Sequence, residues 1–340
     1  MYYHTVNKIK IYQIMNIIKP KRLQKGDTVA IVSPSGAISD EFKKYFDGGV
    51  KFLENLGLKV KVGKNVFKRH YYSAGTVEER LSDIHKAFAD KSVKAVIISI
   101  GGESANQLLD GLDFELIKRN PKIFCGISDG TTLLDSIFSK TGLVTYHGPD
   151  LIFTFGLPMS PIIKENLIKT LFDGSVGELY PNPNWKGLDK LNKNEKYNGW
   201  QCVRKGKAIG KLVGGNITCL TNLDNTEFRP NYKNSILFLE AYEVNVESLD
   251  MLFTHFHQTK VFNEINGLIL GYFYGSCLQD KKRDRKVSEV ILEITKSYSF
   301  PILEIGELGH NVENYIFPIG CRATIDAEKK YFSIDEKTVL

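Results

Sequence analysis

The pentapeptide Gly126-Ile127-Ser128-Asp129-Gly130 follows the apolar run Ile123-Phe124-Cys125 and precedes a helical pattern from Thr131 to Phe138. It fits G-x-S-x-G in the strand–turn–helix context of a nucleophile elbow. Flanking glycines let the chain turn sharply and keep Cβ atoms away from the serine. Its hydroxyl then projects at a helix N-terminus, where backbone N–H groups can hold a developing oxyanion. The same residues also suit an ordinary Ser-Asp helix cap. A second glycine-rich turn, Gly101-Gly102-Glu103-Ser104-Ala105-Asn106, likewise lies between a strand and a helix. In an open parallel sheet, ligands bind at such strand ends. The turn reads either as a tight connection or as a cradle for a phosphate or an oxyanion. With no Walker lysine and no full G-x-G-x-x-G, a nucleotide cofactor is disfavoured.

A serine nucleophile needs a base. The chain has seven histidines: His4, His70, His85, His147, His255, His257 and His310. His85 sits in an amphipathic helix, and His255 and His257 fall near a helix end. His147 follows Val144-Thr145-Tyr146 at a strand end and is placed to line a site. His310 is distinguished by its setting, because the strand Leu303-Glu304-Ile305 leads into the glycine-flanked Glu307-Leu308-Gly309-His310-Asn311. A third member would orient the imidazole and stabilise its charged form. Glu240 ends the apolar strand Ile236-Leu237-Phe238-Leu239, where a carboxylate is costly unless paired. Glu243 and Glu304 compete with it, and a structural ion pair is the plain alternative. The order Ser, Glu, His is that of α/β-hydrolases.

The elements that must position these residues read as follows. Apolar runs at 28–32, 94–100 and 123–127 alternate with amphipathic stretches at 39–56 and after the capping box Thr76-Val77-Glu78-Glu79. Such alternation predicts a parallel sheet covered on both faces. Further strands are expected at 208–213, 235–239 and 267–271, helices at 246–258 and 286–298, and a closing hairpin from Arg322 to Ile334. Residues 174–206, rich in Gly, Pro, Asn and Lys and punctuated by Tyr180, Trp185, Tyr197 and Trp200, read as a linker lying partly over the site. The fold class is therefore α/β, with an N-terminal parallel-sheet, Rossmann-like domain and a smaller β-rich C-terminal domain. The expected divisions are an upstream extension at 1–14, a nucleophile domain at 15–173, the linker, and a domain at 207–340 carrying the Glu and His.

Composition bounds the partners. The 340 residues are 42% hydrophobic and 25% charged with a net charge of +6, ordinary for a soluble globular chain. The one basic run, 281–286, is interrupted by an Asp and has no interleaved aromatics, which argues against nucleic acid. Five cysteines without a CxxC pair argue against a disulfide framework or a zinc site and fit a reducing compartment. No apolar stretch reaches the ~18–20 residues of a membrane span, and the first residues lack a signal-peptide pattern. A cytoplasmic enzyme needing neither metal nor organic cofactor is expected.

Taken together, these motifs resemble the LD-carboxypeptidase family of serine peptidases, peptidase family S66. The likeness is carried by Lys25-Gly26-Asp27, Val32-Ser33-Pro34-Ser35, the 101–109 turn, the serine pentapeptide with Thr131, and Gly214-Gly215-Asn216. It continues through Leu237-Phe238-Leu239-Glu240, Gly267-Leu268-Ile269-Leu270-Gly271, and Gly309-His310 followed by Phe317-Pro318-Ile319-Gly320. The resemblance implies Ser128 as nucleophile, Glu240 as orienting carboxylate and His310 as general base. It also implies an oxyanion hole from the N–H groups of Gly102 and Asp129, and a homodimer. The chain looks similar to the branch of microcin C immunity proteins, which cut an amide between an aminoacyl or peptidyl group and a nucleotide analogue. Asn106, Asn216, Trp185 and Trp200 are then candidate substrate contacts, the tryptophans stacking on a base or, alternatively, pinning the loop. Murein tetrapeptide LD-carboxypeptidase activity is the alternative substrate reading. A non-catalytic two-lobe ligand-binding protein is the rival from another class. Tyr272-Phe273-Tyr274 stands after Gly271 where family members often carry a basic residue, which weakens the case for recognition of an acidic substrate group.

Overall fold

The apolar runs of the first half assemble into the expected parallel sheet. The computed structural model describes residues 16–276 and 285–340. The extension at 1–14, His4, Cys277 and residues 281–284 of the basic run lie outside those residues. The elements are β1 (Thr28–Val32), α1 (Lys43–Asn55), β2 (Lys59–Val62), α2 (Val77–Ala89), β3 (Val93–Ile98), α3 (Phe114–Arg119), β4 (Ile123–Gly126), α4 (Gly130–Thr141), β5 (Thr145–His147) and α5 (Pro161–Ile168). The strands run in the order β5-β4-β3-β1-β2, all parallel. β1 and β3–β5 are almost wholly buried, as strands covered on both faces must be. The capping box at Thr76 and Glu79 opens α2 as expected. Gly48 and Gly49, which weaken α1 as an isolated helix, let it approach a neighbouring backbone closely. A Cβ on Gly49 would lie 2.4 Å from the Leu151 carbonyl oxygen, and one on Gly48 would lie 3.3 Å from that of Gly156.

The second half contains β6 (Gly177–Leu179), β7 (Gln201–Arg204), β8 (Lys207–Asn216), α6 (Ile217–Leu223), β9 (Ser235–Tyr242), α7 (Val246–Gln258), α8 (Val261–Glu264), β10 (Gly267–Tyr274), α9 (Val287–Ile294), β11 (Ile302–Gly309), β12 (Phe317–Ile319), β13 (Arg322–Asp326) and β14 (Tyr331–Ile334). Eight of these strands form a mixed sheet in the order β6-β14-β13-β8-β9-β10-β11-β7. Its centre, β8 to β11, is parallel and its flanks are antiparallel, with the expected β13–β14 hairpin near one edge. The segment 174–206 differs from its reading as a linker, because β6 and β7 close the two edges of this sheet. Their short polar sequences carry little strand signal of their own. Each is specified by the neighbouring edge that it covers.

The chain passes between the two sheets from β5 to β6, from β11 to β12 and from β12 to β13. After β11 the chain leaves the eight-stranded sheet, and β12 pairs antiparallel with β5 at the edge of the first. Residues 310–316 thus cross from one sheet to the other, and His310 begins that crossing. Among the described residues, no helix is long and apolar enough to cross a membrane.

Candidate active site

Ser128 lies two residues beyond the end of β4 and has a φ of 62°, in the left-handed region that a non-glycine residue rarely occupies. Such a backbone costs about 1–3 kcal/mol and persists only where its surroundings impose it. Here the Asp129 side chain does so. Its Oδ2 accepts from Ser35 Oγ at 2.5 Å and from the backbone N–H groups of Ser104 and Ala105 at 2.7 Å each. Gly36 N–H donates to the Gly101 carbonyl at 2.9 Å. The turns after β1, β3 and β4 are thereby locked together at one end of the sheet. Buried Arg80 ties the first two from below, donating to the carbonyls of Pro34 at 2.8 Å and Ser104 at 3.0 Å.

The glycine turn stands against Ser128. A Cβ on Gly101 would lie 2.7 Å from Ser128 Cβ, 2.8 Å from its Oγ and 3.6 Å from the Asp129 nitrogen. Gly102 has a φ of 146°, and a Cβ there would strike Gly36 and Ser35. The N–H groups of Gly102 and Asp129 are therefore carried on facing turns beside the serine, with α4 adding the positive end of its dipole. Gly101→Ala is expected to lower turnover about 100-fold with the fold retained, since displacing a reacting group by ~1 Å has that cost. Steady-state kinetics beside a circular dichroism spectrum would check this, and wild-type kcat would contradict the close packing described.

Glu240 and His310 meet where the sheets join. His310 Nδ1 and Glu240 Oε2 are 2.5 Å apart, and Glu240 is completely buried. Burial pushes its carboxyl upward, but the adjoining His310 outweighs this and holds it below the ordinary Glu value. With Nδ1 taken, Nε2 of His310 is buried and makes no hydrogen bond among the described residues. The structure thus brings Glu240 and His310 into contact but does not hydrogen-bond His310 to Ser128. Catalytic bonds of this kind often close only with substrate bound.

Short contacts tie the pair to the Ser128 turn. Asn216 lies opposite Glu240 in the β8–β9 register, and its N–H donates to Thr131 Oγ1 at 3.1 Å. Cys219 Sγ is 3.6 Å from the Ser128 carbonyl oxygen. His147 pairs with Gly126 across β4 and β5, and its Nε2 is 3.9 Å from Glu240 Oε1. Tyr242 packs its ring 4.9 Å from that of His310 and stacks on Tyr274 at 5.4 Å. A bulge in β10 at Gly271 re-aims the aromatic run that replaces the expected basic residue.

The candidate substrate contacts separate. Asn216 is 6% exposed and its Oδ1 caps α6, accepting from the N–H groups of Thr218 and Cys219. Asn106 is exposed, one residue beyond the Ala105 N–H that Asp129 holds. Trp185 is half-buried, stacks on Tyr197 at 4.9 Å and donates to the Gly306 carbonyl at 2.6 Å. It lines a cavity of about 640 Å³ together with Tyr197, Tyr272 and Glu304, a lining that includes none of the three triad candidates. In the 174–206 segment, Leu188 N–H and Asn192 Nδ2 both donate to the Asn311 carbonyl beside His310.

Trp200 is corrected to a packing role. It is 0% exposed, rests on Phe332, and donates from Nε1 to Glu307 at 2.6 Å. Its ring has no open face for a base. Glu307, pushed upward by burial, also accepts from Tyr197 and from the Asn182 N–H. Trp200→Phe is expected to destabilise by about 2–3 kcal/mol, combining a lost hydrogen bond to a buried acceptor with a partial cavity. Thermal unfolding measures it. An unchanged Tm with a raised KM would return Trp200 to the substrate.

Ser35, Arg80, Thr131 and the carboxylate of Asp129 emerge only from the structure as supports of the serine turn. Ser35 had a signal in its place after the first strand. Arg80, on the buried side of α2, had none.

The LD-carboxypeptidase N-terminal domain matches residues 29–148, and the LD-carboxypeptidase C-terminal domain matches 209–325. The microcin C7 self-immunity protein MccF of Escherichia coli is 32% identical over 329 residues, 93% of this chain and 95% of that protein. A probable murein peptide carboxypeptidase of Bacillus subtilis (strain 168) is 32% identical over 313 residues, 92% of each. The solved structure of MccF in complex with aspartyl sulfamoyl adenosine superimposes with a TM-score of 0.87 at 31% identity, covering 95% of this chain and 100% of that one. With both domains matched in order and relatives aligned nearly end to end, the chain belongs to the LD-carboxypeptidase family, peptidase family S66, and is a serine-type hydrolase.

Proposed function

We propose that the protein cleaves an amide bond by acyl transfer through Ser128, His310 and Glu240, acting on an aminoacyl- or peptidyl-nucleotide analogue. The observation that carries the reading is the buried Glu240–His310 pair, delivered to the turn that holds Ser128 at positive φ. In the proposed cycle Ser128 Oγ attacks the carbonyl carbon while His310 Nε2 takes its proton. The N–H groups of Gly102 and Asp129 hold the oxyanion. Collapse breaks the C–N bond, and the leaving nitrogen receives the proton from His310. Water, deprotonated by His310, then releases the acyl group and restores Ser128.

The nucleotide-analogue substrate is supported by the likeness to MccF, which was solved with aspartyl sulfamoyl adenosine, and by the aromatic Trp185 and Tyr197 on the long segment. A murein tetrapeptide is the second reading, favoured by the 32% identity to a probable murein peptide carboxypeptidase. Parallel assays of wild type and Ser128→Ala with aspartyl sulfamoyl adenosine and with an LD-tetrapeptide decide between them. Cleavage of the first alone supports the leading reading; cleavage of the tetrapeptide alone overturns it. A cytoplasmic homodimer completes the proposal, and light scattering at micromolar protein tests the dimer.

A further inference from the structure

We infer that His147 is a positioning residue for the Glu240–His310 pair, its Nε2–H donating to the carboxylate oxygen that His310 leaves free. This rests on the triad reading above and adds a fourth member to it. The starting observation is a set of orphaned atoms. Glu240 Oε1 and both ring nitrogens of His147 are buried with no hydrogen-bond partner among the described residues, and Nε2 and Oε1 face each other at 3.9 Å. Both side chains are 0% exposed. Buried polar atoms are almost always paired, and a small rotation of either side chain brings these two within hydrogen-bond distance.

The fold keeps room for this arrangement. Phe238 and Glu240 share one face of β9 by the two-residue period of a strand. His147 stands against both, its ring 5.4 Å from that of Phe238 and edge-on to it. A Cβ on Gly215 would lie 2.9 Å from His147 Cδ2 and 2.6 Å from Thr131 Oγ1, and the φ of 145° at Gly215 suits only glycine. The imidazole therefore occupies space that the Gly214-Gly215 pair leaves open. Phe317 pairs with His147 from β12 and holds it from the other side.

Charge supports a neutral donor. Burial pushes His147 down to about 4, against the pull of Glu240 and with the push of His310, so the ring carries no charge at neutral pH. Other titratable groups facing this cluster are Tyr242, packed on His310 with its phenol pushed up by burial, Cys219, whose thiol burial pushes well up, and Asp150, pushed up to about 7 by burial despite its bonds from Phe153 and Thr154. A donor on Oε1 withdraws part of the carboxylate charge from Oε2. Removing it leaves that charge to the imidazolium of His310, which then persists to higher pH. The acid limb of the rate profile moves upward.

The test follows Ser128 phosphonylation by a fluorophosphonate against pH in wild type, His147→Phe and His147→Gln. Asp150→Asn, which keeps the acceptor for Phe153 and Thr154, is run beside them to identify any limb due to that carboxyl. His147→Phe is expected to slow labelling about tenfold, the worth of one hydrogen bond to a charged group, and to raise the acid limb by up to about one pH unit. His147→Gln, with an N–H near the position of Nε2, is expected within about threefold of wild type. A folded His147→Phe protein with wild-type rate and limb overturns the inference. Should the Phe variant not fold, a raised acid limb in His147→Gln overturns it and a wild-type limb supports it. Labelling that survives in Ser128→Ala would instead sink the triad reading itself.

Discussion

Ser128→Ala is expected to lower amide hydrolysis by about 10⁴–10⁶-fold and to abolish fluorophosphonate labelling, with substrate still bound. The magnitude follows from what remains. The Gly102 and Asp129 N–H groups and the binding surface survive, but no nucleophile is aligned against them. A stability measurement sharpens the result. Ala keeps the strain of a φ near 62°, whereas Ser128→Gly relieves it and is expected to unfold at equal or higher temperature, by about 1 kcal/mol. A protein as inactive as the Ala variant but more stable marks Ser128 as held in place for chemistry. Hydrolysis at the wild-type rate in Ser128→Ala would end the proposal. Absence of labelling in the wild type would favour the ligand-binding rival at this site.

Glu240→Gln is expected to cost about 10³–10⁴-fold in kcat, with KM little changed. The amide nearly matches the carboxylate in volume, so the buried site need not repack. It offers His310 Nδ1 no negative charge, and if its NH₂ faces the ring it drives the ring proton to Nε2, where the base must be free. The pair also contributes to stability. Contact with His310 holds the folded-state carboxyl below its ordinary value, so the hydrogen-bonded carboxylate stabilises fully above the unfolded value and that contribution is lost as pH falls through the lower folded one. Wild type should therefore lose stability relative to Glu240→Gln on acidification below about pH 4.5. Denaturant melts at a series of pH values read this, and a pH-independent difference would show that Glu240 is not ionised in the fold.

How far the chain alone specifies this site depends on how local each feature is. The strand, turn and helix around Ser128 occupy fewer than twenty consecutive residues, and steric rules for glycine and helix N-termini act within that span. The elbow, the capping box at Thr76 and the hairpin from Arg322 were legible for the same reason. His310 and Glu240 had only suggestive settings, and family resemblance rather than spacing singled them out. Their meeting depends on β8, β9 and β11 lying in one sheet while β12 crosses to the other, a set of pairings between segments far apart in the chain.

Tertiary structure alone decided the remainder. A tryptophan in a polar segment reads the same whether it faces a ligand or the core, and only the closure of the sheet edge by β7 buried Trp200 against Glu307. Asp129 was expected to lend its N–H, but its carboxylate also clamps three turns whose sequences lie up to 94 residues apart. His147 was seen to end a strand beside a site, yet its approach to Glu240 depends on a gap left by Gly215 in a different sheet. The sequence by itself determined the serine turn, because backbone sterics over a few residues suffice. The orienting pair, its neighbour and the fate of the aromatics waited on packing between the two sheets, where contact energies outweigh any local preference.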